Sequence, residues 1–185
     1  SKDSISLKDE WVNELSAAYV SAFFEVPPYL NPDAEEVLQH LKSECRRVGL
    51  ICNTGLTPAF SLRRFLERLG IAGYFDAMVF SGEEGVRKPD ARIFQIAAER
   101  LRAEPWEIVH VGDNLRTDVW GAKNAGFKAI YFASDTGRDR LAEADPTSLV
   151  ALSRSLGTLR KEDIIPNKTI SHLNMLTKAI KELEI

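Results

Sequence analysis

The stretch Val109-His110-Val111-Gly112-Asp113-Asn114-Leu115-Arg116-Thr117-Asp118, VHVGDNLRTD, decides how this chain is read. Apolar-leaning residues run into a Gly-Asp pair, and a second aspartate follows five positions later. A short apolar run that stops at glycine predicts a buried strand over 108–112. The segment behind it, 115–125, reads as a helix closed by Gly126. A carboxylate at the end of a buried strand does no work for the core, because burying a charge is costly unless it is paired.

Working outward, the same strand-then-helix rhythm repeats. Strands are expected at Val48–Asn53, Asp76–Ser81 and Lys128–Ala133. Helices are expected over 9–25, where Trp11, Leu15, Tyr19, Ala22 and Phe23 make one broad face, and over 34–47, 57–69 and 89–102. Pro27-Pro28 ends the first of these. A polar stretch runs over 134–161, with a helical part at 146–156, and an amphipathic helix over 170–184 closes the chain. Alternating strands and helices predict an α/β fold, a Rossmann-like parallel sheet with helices on both faces. Ligands of such sheets sit at the carboxyl ends of the strands.

Composition narrows the function classes. A formal net charge of -3 argues against a nucleic-acid surface. No apolar run approaches the roughly 18 residues of a membrane helix. Cys45 and Cys52 are too few for a disulfide framework or a four-ligand zinc site, and a reducing, cytoplasmic setting is expected.

The residues that follow the strands are Asn53-Thr54-Gly55, then Gly85-Val86-Arg87-Lys88-Pro89-Asp90, then Asp113 and Asp118. Singly, each has an ordinary role: Thr54 in a turn, Lys88 in solvent, Asp113 as a helix cap, Asp118 as a helix charge. Together they form a chemical set. Two carboxylates suit Mg²⁺, which takes one or two protein carboxylates plus phosphate oxygens. A hydroxyl and a lysine can hold the oxygens of a phosphoryl group and offset its transition-state charge.

ICNTG, GVRKPD and VHVGDNLRTDVWGAKNAG, in that order, resemble the second, third and fourth motifs of the haloacid dehalogenase superfamily. The similarity is to phosphatase-type members with a helical cap. It implies that Thr54 hydrogen-bonds the phosphoryl oxygen, with Asn53 and Gly55 beside it on the phosphate-binding turn. It implies that Lys88 steadies nucleophile and phosphate, that Asp113 ligates Mg²⁺, and that Asp118 ligates it through water or orients Lys88. The expected substrate is a small phosphate monoester, hydrolysed through an aspartyl-phosphate; the expected partners include neither nucleic acid nor membrane.

The family's first motif, Asp-x-Asp on a central strand, is not found. Asp3, Asp9 and Asp33 are the aspartates before Val48, and none follows an apolar strand. Residues 1–28 are therefore expected to be the end of a cap, and 29–185 a core lacking its first strand. A gap of that kind predicts an inactive chain and either a dimer or a complementing amino-terminal segment. A receiver-type signalling domain is disfavoured, because there the acidic residues precede the Thr and Lys. A non-catalytic relative that only binds a partner is the second alternative.

Overall fold

The computed structural model describes residues 9–55, 57–133 and 164–183. In chain order the elements are α1 (Asp9–Glu25), α2 (Ala34–Ser43), β1 (Gly49–Cys52), α3 (Ala59–Arg68), β2 (Ala77–Phe80), α4 (Ser81–Glu84) and α5 (Ala91–Leu101). Then follow β3 (Val109–Gly112), a π-helical turn (Leu115–Trp120), α6 (Gly121–Asn124), β4 (Lys128–Phe132), β5 (Lys168–Ile170) and α7 (Leu176–Lys181). Single 3₁₀ turns occupy Ala72–Tyr74, Pro105–Glu107 and Leu173–Met175.

All strand pairing among the described residues is parallel. β1 pairs with β2, Gly49 opposite Ala77 and Cys52 opposite Phe80. β3 pairs with β4, and β4 with β5. Helices lie on both faces. Ile93, Phe94, Ala97 and Ala98 of α5 join Val79, Val119, Phe127 and Ala129 in one core. Val37 and Leu41 of α2 join Ile130, Ile170, Leu176 and Ile180 in the other. Adjacent residues of β4, Ala129 and Ile130, fall into opposite cores, as the two-residue period of a strand requires.

The strands form two ladders, β1–β2 and β3–β4–β5, instead of one sheet. Between them runs a cavity of about 810 Å³, lined by Gly49, Leu50 and Ile51 on one side and by Val109 to Gly112 on the other. Lys88, Asp113 and Asp118 also line it. Among the described residues, one edge of β1 and one edge of β3 have no neighbouring strand. Both strands read as buried in sequence, yet β1 and β3 are only partly buried, while β2 is almost wholly so.

Three expectations change in detail, and a fourth is not described. The helix over 34–47 stops at Ser43, and Cys45 takes a left-handed conformation at φ 57. The helix over 115–125 opens as a wider π turn. The terminal helix over 170–184 is a strand, a 3₁₀ turn and a short helix, because Lys168, Thr169 and Ile170 extend the β3–β4 ladder before the chain turns. The helix expected at 146–156 lies outside the described residues.

Asp76 ties the entries of the first ladder together. Its carboxylate accepts from Lys42 Nζ at 2.8 Å and from the Val48 N–H at 2.7 Å, which joins the end of α2 to both strands. Lys42 is the main reason that its pKa lies below the ordinary carboxylate value.

Phe94 is the packing centre of the first core. It is 0% exposed and meets His110 and Phe127 edge-on, with ring centroids 5.2 and 5.7 Å away. Phe94→Ala is expected to lower the unfolding free energy by about 3–5 kcal/mol, read from the urea midpoint. A loss under about 1 kcal/mol would show that the core closes over the missing ring.

Candidate active site

The aspartate pair is built by a glycine and a wide turn. Asn114 caps the π turn, its side-chain oxygen accepting from the N–H groups of Arg116 and Thr117. The N–H groups of both Asp118 and Val119 reach back to the Asn114 carbonyl. A five-residue closure of this kind is rare and recurs at functional sites. It brings Asp118 back over Gly112, so close that a Cβ on Gly112 would lie 2.3 Å from the Asp118 carboxyl carbon. Only glycine fits there.

Asp118 is 4% exposed, and three hydrogen-bonding partners reach its carboxylate. Lys88 Nζ donates to Oδ1 at 2.6 Å, His110 Nε2 lies 3.1 Å from the same oxygen, and the Asn114 N–H donates to Oδ2 at 3.1 Å. Burial alone would raise the pKa of Asp118. The His110 hydrogen bond and the Lys88 charge outweigh it and hold the pKa at about 2. Burial dominates at His110 and lowers its pKa, so that ring is neutral at pH 7 and Lys88 is the cation that balances Asp118.

Lys88 is held from two sides. The Asn53 side chain donates to the Lys88 carbonyl at 3.0 Å and accepts from the Lys88 N–H at 2.9 Å. Gly121 of α6 lies so near Pro89 and Phe94 that a Cβ would meet the Pro89 Cα at 3.0 Å. Gly121 of the fourth motif therefore seats the helix on the lysine's own loop and on α5. Asp90 then caps α5 by accepting from the Arg92 N–H at 2.9 Å.

Thr54 is buried after β1. Its N–H donates to Ser81 Oγ at 3.0 Å, and its own oxygen accepts from the Gly82 N–H at 3.1 Å. The hydroxyl proton has Ser81 Oγ within 3.4 Å as its one nearby acceptor among the described residues. Gly55, at φ 53, turns the chain away in a conformation that suits glycine. The side chain of Asn53, expected on the phosphate side, braces Lys88.

The structure thus brings Lys88, Asp113 and Asp118 to one cavity and links Thr54 to them through Asn53. Asp113 is exposed at the end of β3. Among the described residues no three of His, Cys, Asp and Glu gather as a ready metal cluster. The donor chemistry still fits Mg²⁺: two hard carboxylates, with water and phosphate completing the shell. Of about four acceptor positions on Asp118, three are taken, so one on Oδ2 is left.

Between Val109 and Val111 in a strand, His110 reads in sequence as a satisfied core residue; the structure shows that its partner is Asp118. The signal was a polar ring at an apolar strand position, eight residues before a buried acid. Ser81 and Asn114 carried no signal beyond their turn preferences. His40 is exposed on α2 beside Glu44, and His172 is exposed just before a 3₁₀ turn, where a helix was expected.

A family model described as haloacid dehalogenase-like hydrolase matches residues 5–126. The chain is 36% identical over 131 residues to the ribulose-1,5-bisphosphate 5-phosphatase of Halopiger xanaduensis, covering 71% of this chain and 53% of that protein. It is 35% identical over 125 residues to the glyceraldehyde 3-phosphate phosphatase of Pyrococcus furiosus, covering 66% and 50%. The chain spans about half the length of the curated relatives it matches. A HAD phosphatase structure from Thermococcus onnurineus superposes with a TM-score of 0.64 at 25% identity, over 88% of this chain and 64% of that one.

Two outcomes are expected. Gly112→Ala pushes the Asp118 carboxyl from its seat and destabilises by about 1–3 kcal/mol, the cost of overpacking a tight site; a crystal structure of the variant with Asp118 unmoved would refute the account. The second concerns pH. Asp118 has a folded pKa below its unfolded one, so its stabilisation is complete above about pH 4 and is lost as pH falls toward 2. Between about pH 5 and about pH 3 the wild type should lose about 1 kcal/mol more than Asp118→Asn in urea titrations. Parallel losses would show that Asp118 carries no such linkage.

Proposed function

We propose a phosphohydrolase function on the premise that the chain belongs to the haloacid dehalogenase-like hydrolase family. The complete protein is a Mg²⁺-dependent phosphatase of small phosphate monoesters. One observation carries the reading: a charged rim of Lys88, Asp113 and Asp118 lines a cavity between β1 and β3, whose facing edges have no neighbouring strand among the described residues. Relatives named as phosphatases of small phosphorylated metabolites support the same class.

Each residue has a stated task. Thr54 accepts from the Gly82 N–H, and its hydroxyl proton would turn from Ser81 Oγ to donate to a phosphoryl oxygen. Lys88 uses one of three N–H donors on Asp118 and presents the others to phosphate and nucleophile. Asp113 and the remaining Oδ2 position of Asp118 would hold Mg²⁺. When bound, the ion neutralises charge on the phosphoryl oxygens. The nucleophilic carboxylate would belong to a further parallel strand that fills the cavity between β1 and β3; its oxygen bonds to phosphorus as the ester P–O bond breaks, the substrate's alkoxide leaves with a proton as the alcohol, and water then hydrolyses the aspartyl-phosphate to the free carboxylate and phosphate.

Residues 1–28 are the end of a cap and 29–185 the catalytic core. α1 meets the core through Phe23, edge-on to Phe65 of α3 at 5.3 Å, and through Phe24 under Arg68 at 4.5 Å. We place the protein in the cytoplasm, in keeping with the free thiols Cys45 and Cys52. Among the described residues no helix is long and apolar enough to cross a membrane.

A non-catalytic scaffold is the second reading, and the full set of rim residues argues against it, since a scaffold has no physical use for a buried Lys88–Asp118 pair beside an exposed acid. The full-length protein should hydrolyse an aryl phosphate only with Mg²⁺, and Asp113→Asn should lower kcat by about 100-fold or more. The 185-residue chain alone should show no turnover, and its open strand edges should make it dimerise or bind a complementing segment. A full-length protein with no turnover on any phosphate monoester would favour the scaffold.

A further inference from the structure

We propose that His110 is a positioning residue: its ring N–H holds Oδ1 of Asp118 and so fixes the point to which the Lys88 ammonium is tied. Its place in the fold makes this more than a core contact. Val109 and Val111 turn to the core shared with α2 and α7, which puts His110 on the opposite face of β3. There it stands edge-on to Phe94, at 88° and 5.2 Å between centroids. A valine or isoleucine would fill an apolar layer without a polar atom to satisfy. An imidazole there needs a partner, and its Nε2 lies 3.1 Å from Asp118 Oδ1.

The direction of that bond follows from its acceptor. Asp118 is ionised beside Lys88, and an ionised carboxylate only accepts. Nε2 must therefore carry the hydrogen, and the ring is the Nε2–H tautomer. The same oxygen takes Lys88 Nζ at 2.6 Å. Lys88 sits on a loop and has a long, rotamer-rich side chain, so an ion pair alone leaves its ammonium free to swing about the carboxylate. With His110, Oδ1 is anchored to a strand whose ring is clamped by Phe94. With the Asn114 N–H on Oδ2, the carboxylate cannot rotate. His110 touches neither phosphate nor metal in this account; it acts through Asp118 on Lys88.

The kinetic part of this inference rests on the phosphatase reading; the spectroscopic part does not. The test uses the complete protein with His110→Phe, which keeps a ring against Phe94 and loses the donor, and His110→Gln, which returns an N–H near the Nε2 position. Nitrogen NMR of the wild type without metal should show His110 with a protonated Nε2 and an unprotonated Nδ1. The Lys88 ammonium resonance should be sharp in the wild type, broadened by fast exchange in His110→Phe, and recovered in His110→Gln. With p-nitrophenyl phosphate, kcat should fall about 10- to 100-fold in His110→Phe with KM changed less than about threefold, and His110→Gln should restore most of it. An Nδ1–H tautomer, or an unchanged Lys88 resonance in His110→Phe, would overturn the proposal. If the wild type hydrolyses no phosphate monoester, the phosphatase reading fails and the two NMR measurements still decide the role of His110.

Discussion

A buried ion pair, Lys88 with Asp118, is the constraint on which the rest of this structure depends. Its side chains are 12% and 6% exposed, so both charges have left water. Attraction between such charges repays the loss of hydration only when geometry is good and the remaining acceptor positions are filled. That requirement accounts for what surrounds the pair: the donors from His110 and Asn114, the glycine at 112 on which the carboxyl group rests, and the Asn53 amide that grips the lysine's backbone from both sides. Replacing the pair with apolar residues would satisfy the core at least as well. A chain that retains it, with its supports, is organised around placing a cation and a carboxylate at one end of a cavity.

The cavity itself is a consequence of pairing. Parallel strands need covered faces and a neighbour on each interior edge. Here α5 covers β1 and β2 on one side, and α2 and α7 cover the second ladder on the other. Helices thus cover both ladders, and among the described residues β1 and β3 each have one edge without a neighbouring strand, facing the same cavity. Leu50, Ile51, Val109 and Val111 are apolar as interior strands require, and they are only partly buried, with no further strand beside them among the described residues. The rim residues Lys88, Asp113 and Asp118 converge on that same cavity.

Much of this was legible in the sequence, for physical reasons that differ by element. The four strands at 49–52, 77–80, 109–112 and 128–132 announced themselves because each is a short apolar run stopped by a turn residue, and their parallel pairing follows from the helices between them. β5 was invisible: Lys168-Thr169-Ile170 has no apolar run, and its pairing with β4 is a tertiary effect. The π turn escaped because its hydrogen bonds change by one residue while its composition stays that of an ordinary helix start. Thr54, Lys88, Asp113 and Asp118 could be read because each follows a strand. Asn53 could not, since its role depends on reaching a backbone 35 residues away.

His110 shows where the limit of such reading lies. At the level of periodicity it is one polar residue in a strand, and the ordinary inference is that some partner satisfies it. That inference is correct and uninformative, because the identity of the partner is the functional content. The partner is settled by three local facts acting together: glycine at 112 lets an acid lie flat against the strand, the wide turn after Asn114 brings Asp118 there, and the two-residue period of β3 puts the ring on that face. Each is visible in the sequence once the others are known. A valine at 112, or an extra residue in the turn, would leave the same histidine buried with no acid to hold, and the lysine tied to a carboxylate with no fixed place.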